Sequence, residues 1–209
     1  MKILSWTCLL GFLFVPTAPP DGGQVRMSLE ESAETLAERG ADPRAHLGLE
    51  LEMAFTSARL EERWNPFLTP FDPQSWIALR GWSDEQFPWR EADWYAPALR
   101  FFVAREGPLA AWARTLPPYQ RWKIRGVPRA FFANEAWIEV TGVEALETAI
   151  CEGTVIHASR ALEAIEEGRF AGAAADLDRA LAAPLPEPAR AELERLRASC
   201  DQGAAAQRR

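Results

Sequence analysis

The sequence is poor in the residues from which most active sites are built. It holds two histidines and three cysteines among 209 residues, and no glycine-rich loop of the kind whose backbone amides cradle phosphate. His46 and Glu50 would share a face if their segment were helical, but that segment alternates as a strand does. His157 stands six positions after Cys151, off-face on a helix. Neither histidine supplies a metal site or a nucleophile–base pair, so no metal or cofactor is expected. A carboxylate-based hydrolase would rest on Asp84 and Glu85, yet neighbours along an extended chain point apart, and Ser83 beside them suits a loop or a helix cap. An enzyme is therefore not expected. Basic residues are also scarce: 30 acids outnumber 23 lysines and arginines, for a net charge of -7. That balance gives no strong nucleic-acid signal, because a general nucleic-acid binder is basic overall.

No apolar run reaches the roughly 20 residues of a bilayer span. The longest, ILSWTCLLGFLFV, follows Met1-Lys2 and reads as the apolar core of a secretory signal, residues 1–18. Ala18 suits cleavage, but Pro19 and Pro20 hinder it. An uncleaved N-terminal anchor is the rival reading and the one membrane association expected, and a start at Met27 is a further alternative. Export places the protein in the periplasm or outside the cell. Removal of the signal leaves Cys151 and Cys200, at opposite ends of predicted helices some 20 Å or more long. A disulfide needs Cα atoms within roughly 7 Å, so no bond between them is expected.

A linker at 19–27 precedes a capping box, Ser28-Leu29-Glu30-Glu31, that opens an N-terminal helical unit at 28–43. Residues 44–147 carry the strand signals. In LGLELEMAF, Leu47, Leu49, Leu51, Met53 and Phe55 alternate with smaller or charged residues. The residue types favour helix, but the period of two takes priority and predicts a long strand. Asn65-Pro66, Thr69-Pro70 and Asp72-Pro73 mark a loop. A second strand follows at Ser75–Gly81, then an aperiodic aromatic excursion, GWSDEQFPWREADWY, expected to be an ordered loop. Leu99–Arg105 is a third strand and Gly107–Leu116 a short helix. Tyr119–Val143 is a hairpin interrupted at Gly126 and Pro128, where a bulge is tolerated and a ladder donor is lacking. Ile138 and Val140 face opposite Trp137, Glu139 and Thr141.

Three strands, a short helix and two strands is the order of the OB-fold, a partly open five-stranded barrel. The runs GWSDEQ, FFVAREG and WIEV, with the N-terminal signal, resemble uncharacterised exported bacterial proteins, a likeness that brings no activity with it. From 148 to 200 the chain reads as three helices. ALEAI, the Gly168-Arg169-Phe170 turn and AAADLDRAL resemble one tetratricopeptide-like hairpin. Pro186 and Pro188 open a third helix ending near Cys200, and 201–209 is expected to fray. Such a hairpin cannot bury its own face and must stack on a neighbour, here expected to be the barrel. The fold class is thus α+β, an OB-like barrel between an N-terminal helix and a three-helix appendage.

Charge is unevenly placed. Residues 100–143 hold seven basic side chains against three acids, while residues 144–209 have a net charge of -4. Arg121, Lys123 and Arg125 alternate along one strand face after Tyr119. They would either bind an anionic ligand, a glycan or oligonucleotide held by stacking and charge, or pair with acids of the C-terminal helices. The eight tryptophans beyond residue 60 would either form a stacking platform for sugars or anchor core and loops. The function expected is non-catalytic: an exported binding or scaffold protein acting on a protein partner through the barrel or the helical hairpin, with the anionic ligand as the alternative.

Overall fold

The computed structural model describes residues 47–132 and 135–207. The predicted signal, linker and N-terminal helix, with His46, fall outside them, as does the Ala133-Asn134 tip of the hairpin.

The described elements run β1 (Leu51–Glu61), β2 (Trp76–Trp82), α1 (Glu91–Tyr95), β3 (Leu99–Ala104), α2 (Ala110–Arg114), β4 (Arg121–Phe132), β5 (Glu135–Ala145), α3 (Glu152–Glu166), α4 (Phe170–Ala180) and α5 (Glu187–Gln207). The strands close in the order β1-β2-β3-β5-β4. β3 and β5 pair in parallel and every other pair is antiparallel. With α2 between β3 and β4, this is an OB-like barrel.

The helix-forming residues of β1 become a strand because both neighbours supply partners, Met53 opposite Ile124 in β4 and Leu60 opposite Leu79 in β2. Tertiary pairing overrides weak propensity. Leu51, Met53 and Phe55 point into the barrel with Leu79, Phe101 and Ile138. The hairpin register shifts between Arg125 and Gly126 and again between Pro128 and Ala130, the two positions that Gly and Pro mark. Trp137 stands opposite Ile138 and Val140, yet it is also buried, within a second, outer core with Phe71, Ala78 and Phe102.

The appendage packs α3 on α4 and α4 on α5 around small residues, Ala158, Ala161 and Ala164 meeting Ala173, Leu177 and Leu193. Gly168, at φ 72°, closes the α3–α4 turn in the left-handed region that other residues avoid. One expectation about the appendage is corrected. The third helix does not end near Cys200 with a frayed tail, since α5 continues to Gln207 and its side-chain amide donates to the Gly168 carbonyl at 2.9 Å. The stacking of the appendage on the 44–147 unit is made through that unit's 83–98 excursion and Tyr119. The helical core receives Trp89 from the excursion, with Phe87, Trp94 and Tyr119 packed around. That excursion is not wholly irregular, because it contains α1.

Candidate functional site

Barrels of this type take ligands on the face of strands two and three, between the loops after strands one and four. Here the chain fills that face itself. The β1–β2 loop folds back so that Phe71 lies parallel on Phe102, centroids 4.0 Å apart and planes within 1°. Trp64 meets the same ring edge-on, and Trp137 stacks on it at 5.3 Å. The loop is pinned by the Trp64 indole N–H, which donates to the Phe71 carbonyl at 2.7 Å. Beside these rings Arg80 and Arg100 alternate with Glu61 and Glu135 in a closed ring of ion pairs, 3.0 to 3.3 Å long. Arg100 also sits 4.5 Å over the Trp137 ring. Burial pushes the Glu61 carboxyl up and Arg80 pulls it down, the former prevailing. Glu61, Arg80 and Glu135 of the ring line a cleft of about 410 Å³ reached also by Arg59 and Tyr95. The ring's charges are matched within the barrel, which removes most of the attraction for an external ion.

The predicted basic face is placed as follows. Tyr119 takes φ 64°, an uncommon conformation for a residue with a side chain. It is held there by its N–H donating to the Ser57 carbonyl at 2.8 Å. Ser57, fully buried, puts its hydroxyl within 3.0 Å of the Gln120 carbonyl and 2.5 Å of the Pro117 carbonyl. The Tyr119 ring stacks on Trp82 at 6.0 Å, and burial, helped by Glu152, pushes its hydroxyl pKa up. Arg121 grips Asp84 with Nε at 3.0 Å and Nη2 at 2.5 Å, and donates to the Thr148 hydroxyl. Lys123 pairs with Glu144 of β5 at 2.5 Å. Arg125 is exposed and lies across Gly142, its cross-strand partner, where a Cβ would come within 2.7 Å of the guanidinium. The acids opposite Arg121 and Lys123 thus come from a loop and a neighbouring strand, not from the helices. One ion pair joins the excursion to the appendage, Arg90 with Glu192 of α5.

A larger concavity than that cleft lies elsewhere, at the junction of excursion and appendage. It is an open groove of about 830 Å³ with α3 as one wall and Pro88–Tyr95 as the other. Its position follows from a chain of contacts. Trp82, ending β2, donates its indole N–H to the Asp93 carbonyl at 2.8 Å and stacks on Trp94 at 5.6 Å, which fixes α1 to the barrel. Trp89, 3% exposed, enters the helical core, and its carbonyl accepts from the Ser159 hydroxyl at 3.3 Å, which fixes α1 to α3. Val155 and Leu162 give the groove apolar lining, Tyr95 and Ile156 stand 69% and 45% exposed at its mouth, and Glu91, Arg160, Glu163 and Glu166 form its rim. No signal in the sequence joins these residues, because aperiodic aromatics in a loop do not say which helix they will meet. Ile156, Arg160 and Glu163, at spacings of four and seven, do mark one helix face.

The weighed catalytic groups are dispersed. Asp84 is committed to Arg121, Glu85 is exposed, and His157 Nδ1 lies 2.9 Å from Asp176 on α4. Among the described residues, no three His, Cys, Asp or Glu side chains gather as metal ligands would. Cys151 caps α3, accepting from the Thr154 amide, while Cys200 is buried, and both thiols are free.

No protein-family model matches this sequence, and no curated protein matches it. Among solved structures it is similar to a putative aspartyl-tRNA synthetase from Leishmania major Friedlin, with 6% identity and a TM-score of 0.38. The likeness covers 80% of this chain and 34% of the synthetase, so this chain spans about a third of that protein. The barrel assignment stands on the strand order, and the likeness carries no activity across.

Proposed function

We propose that the protein is a non-catalytic binding protein that engages a protein partner through the groove between α1 and α3. The observation that carries this reading is the pairing of an open 830 Å³ groove with two exposed apolar side chains, Tyr95 and Ile156, at its mouth. Exposed apolar groups clustered on a concave surface and rimmed by polar ones mark interaction sites. The barrel face is occupied by Trp64 and Phe71, and Arg121 and Lys123 are neutralised by Asp84 and Glu144. Both observations favour the groove over an anionic ligand on the strand face. The dispersal of Asp84, Glu85 and His157 supports a role without catalysis. The apolar segment after Lys2 supports one exercised outside the cytoplasm.

The test is site-specific photocrosslinking in the source organism, with the photoreactive residue at Tyr95, Ile156 or Phe67. Phe67 is 93% exposed on the β1–β2 loop and samples a rival surface. The same partner captured from Tyr95 and Ile156 supports the groove. Capture from Phe67 alone moves the binding surface to the barrel loop and overturns the reading.

A further inference from the structure

We infer that the occupant of the groove is a basic amphipathic helix of about three turns, supplied by another protein; this rests on the groove being the binding site. Three features of the groove point to it.

Its length comes first. α3 contributes lining residues from Val155 to Glu166, about 16 Å at 1.5 Å per residue. That matches three helical turns, or only about five residues of extended chain.

The second feature is the character of the walls. An extended peptide gains affinity by pairing its backbone with an exposed sheet edge. The barrel here is closed, and the walls are α3 and α1 with their flanking turns, whose backbone groups are largely bonded within their own helices. Such walls give an extended segment few partners for its amides and carbonyls, whereas a helix satisfies its own. The apolar groups at the mouth and floor, Tyr95, Ile156 and Leu162, then meet side chains at i, i+3, i+4 and i+7 of the incoming helix.

Charge is the third. Arg90 is paired with Glu192, which leaves Glu91, Glu163 and Glu166 against Arg160 on the rim, a local excess of two negative charges. A partner with Lys or Arg flanking its apolar stripe is complementary, and an acidic one is repelled. The chain's own predicted helix at 28–43 carries Glu30, Glu31, Glu34, Glu38 and Asp42 against Arg39, so it has the wrong sign to fill the groove.

The experiment is a selection of displayed random 16-residue peptides on the full 209-residue chain, with counter-selection on Ile156→Glu. Both altered positions are exposed, and circular dichroism of Ile156→Glu and of a second variant, Tyr95→Ser, checks that they fold as the parent. The expected result is enrichment of sequences with apolar residues at helical spacing and a surplus of Lys and Arg. Their binding should weaken at least tenfold in both variants, and severalfold between 50 and 500 mM NaCl. Groove-dependent binders that are acidic, or that are proline-rich and extended, overturn this inference while leaving the groove as the binding site. Binders indifferent to both substitutions, or none at all, overturn the inference together with the reading beneath it.

Discussion

Trp89 is the residue of the barrel unit most deeply set in the helical core, and its removal is the most informative stability perturbation. The ring is 3% exposed, stacks on Phe87 at 5.1 Å, and lies in the helical core beside α3. Trp89→Ala takes a large apolar side chain from the core of the three packed helices, which are held by their own packing and cannot fully collapse into the space. Substitutions of this kind cost about 3–5 kcal/mol. For a chain of this size each kcal/mol lowers the midpoint by about 2–4 °C, which gives a fall of roughly 6–20 °C. The indole N–H has no partner among the described residues, and an unpaired buried donor costs about 1–3 kcal/mol. Trp89→Phe gives up part of the ring but also that donor, so its net cost should stay within about 2 kcal/mol. Urea unfolding followed by circular dichroism measures both. Hydrogen exchange should show the loss of protection concentrated in α3 and α1, with the β1–β4 ladder retaining its own. A Trp89→Ala cost below about 1 kcal/mol, or a Trp89→Phe cost equal to it, would refute the role assigned to this ring.

Three further outcomes follow from the same geometry. Phe71→Ala, which uncovers Phe102 and Trp137, should cost about 3–5 kcal/mol and raise binding of a hydrophobic dye; unchanged dye binding would mean the loop re-covers the face. Hydrogen bonding by His157, opposed by burial and aided by Arg179, holds the Asp176 carboxyl below its ordinary 3.8. A depressed carboxylate contributes stability above its unfolded value that is lost as pH falls through the folded one, so the wild type should lose stability below about pH 4 more steeply than Asp176→Asn; parallel acid limbs would dismiss the contact. Burial opposes ionisation of Cys151, but the Thr154 hydroxyl and amide lower its pKa, whereas burial raises that of Cys200. Iodoacetamide should therefore label Cys151 in the native protein and Cys200 only after denaturation, as peptide mass mapping will show.

The barrel was largely legible because its signals are local. The alternation through Leu51, Met53 and Phe55, the Gly126 and Pro128 interruptions, and the two-run hairpin each depend on residues a few positions apart, and the strand order followed from them. What depended on distant pairing was not legible. The partners of the basic face, Asp84 for Arg121 and Glu144 for Lys123, are fixed by the excursion and by barrel register, so assigning them to helix acids had no local warning. Likewise Trp82, Trp89 and Trp94 have no period, and nothing in their spacing shows that one ends a strand, one enters a helical core and one lines a groove. Ser57 was invisible for a similar reason, since a small polar residue in a strand gives no hint that it fixes the turn carrying Tyr119. The tail after Cys200 misled because a chain end is expected to fray, whereas here Gly203 lets α5 lie against Phe170.

The groove stands as the binding surface on one comparison above all. With the partner captured by crosslinking in hand, its dissociation constant should be measured by calorimetry against the wild type, Ile156→Glu and Phe67→Glu. A loss of tenfold or more in Ile156→Glu, about 1.4 kcal/mol, with Phe67→Glu unchanged, is the predicted result. Equal affinity for the wild type and Ile156→Glu would contradict the assignment of the groove.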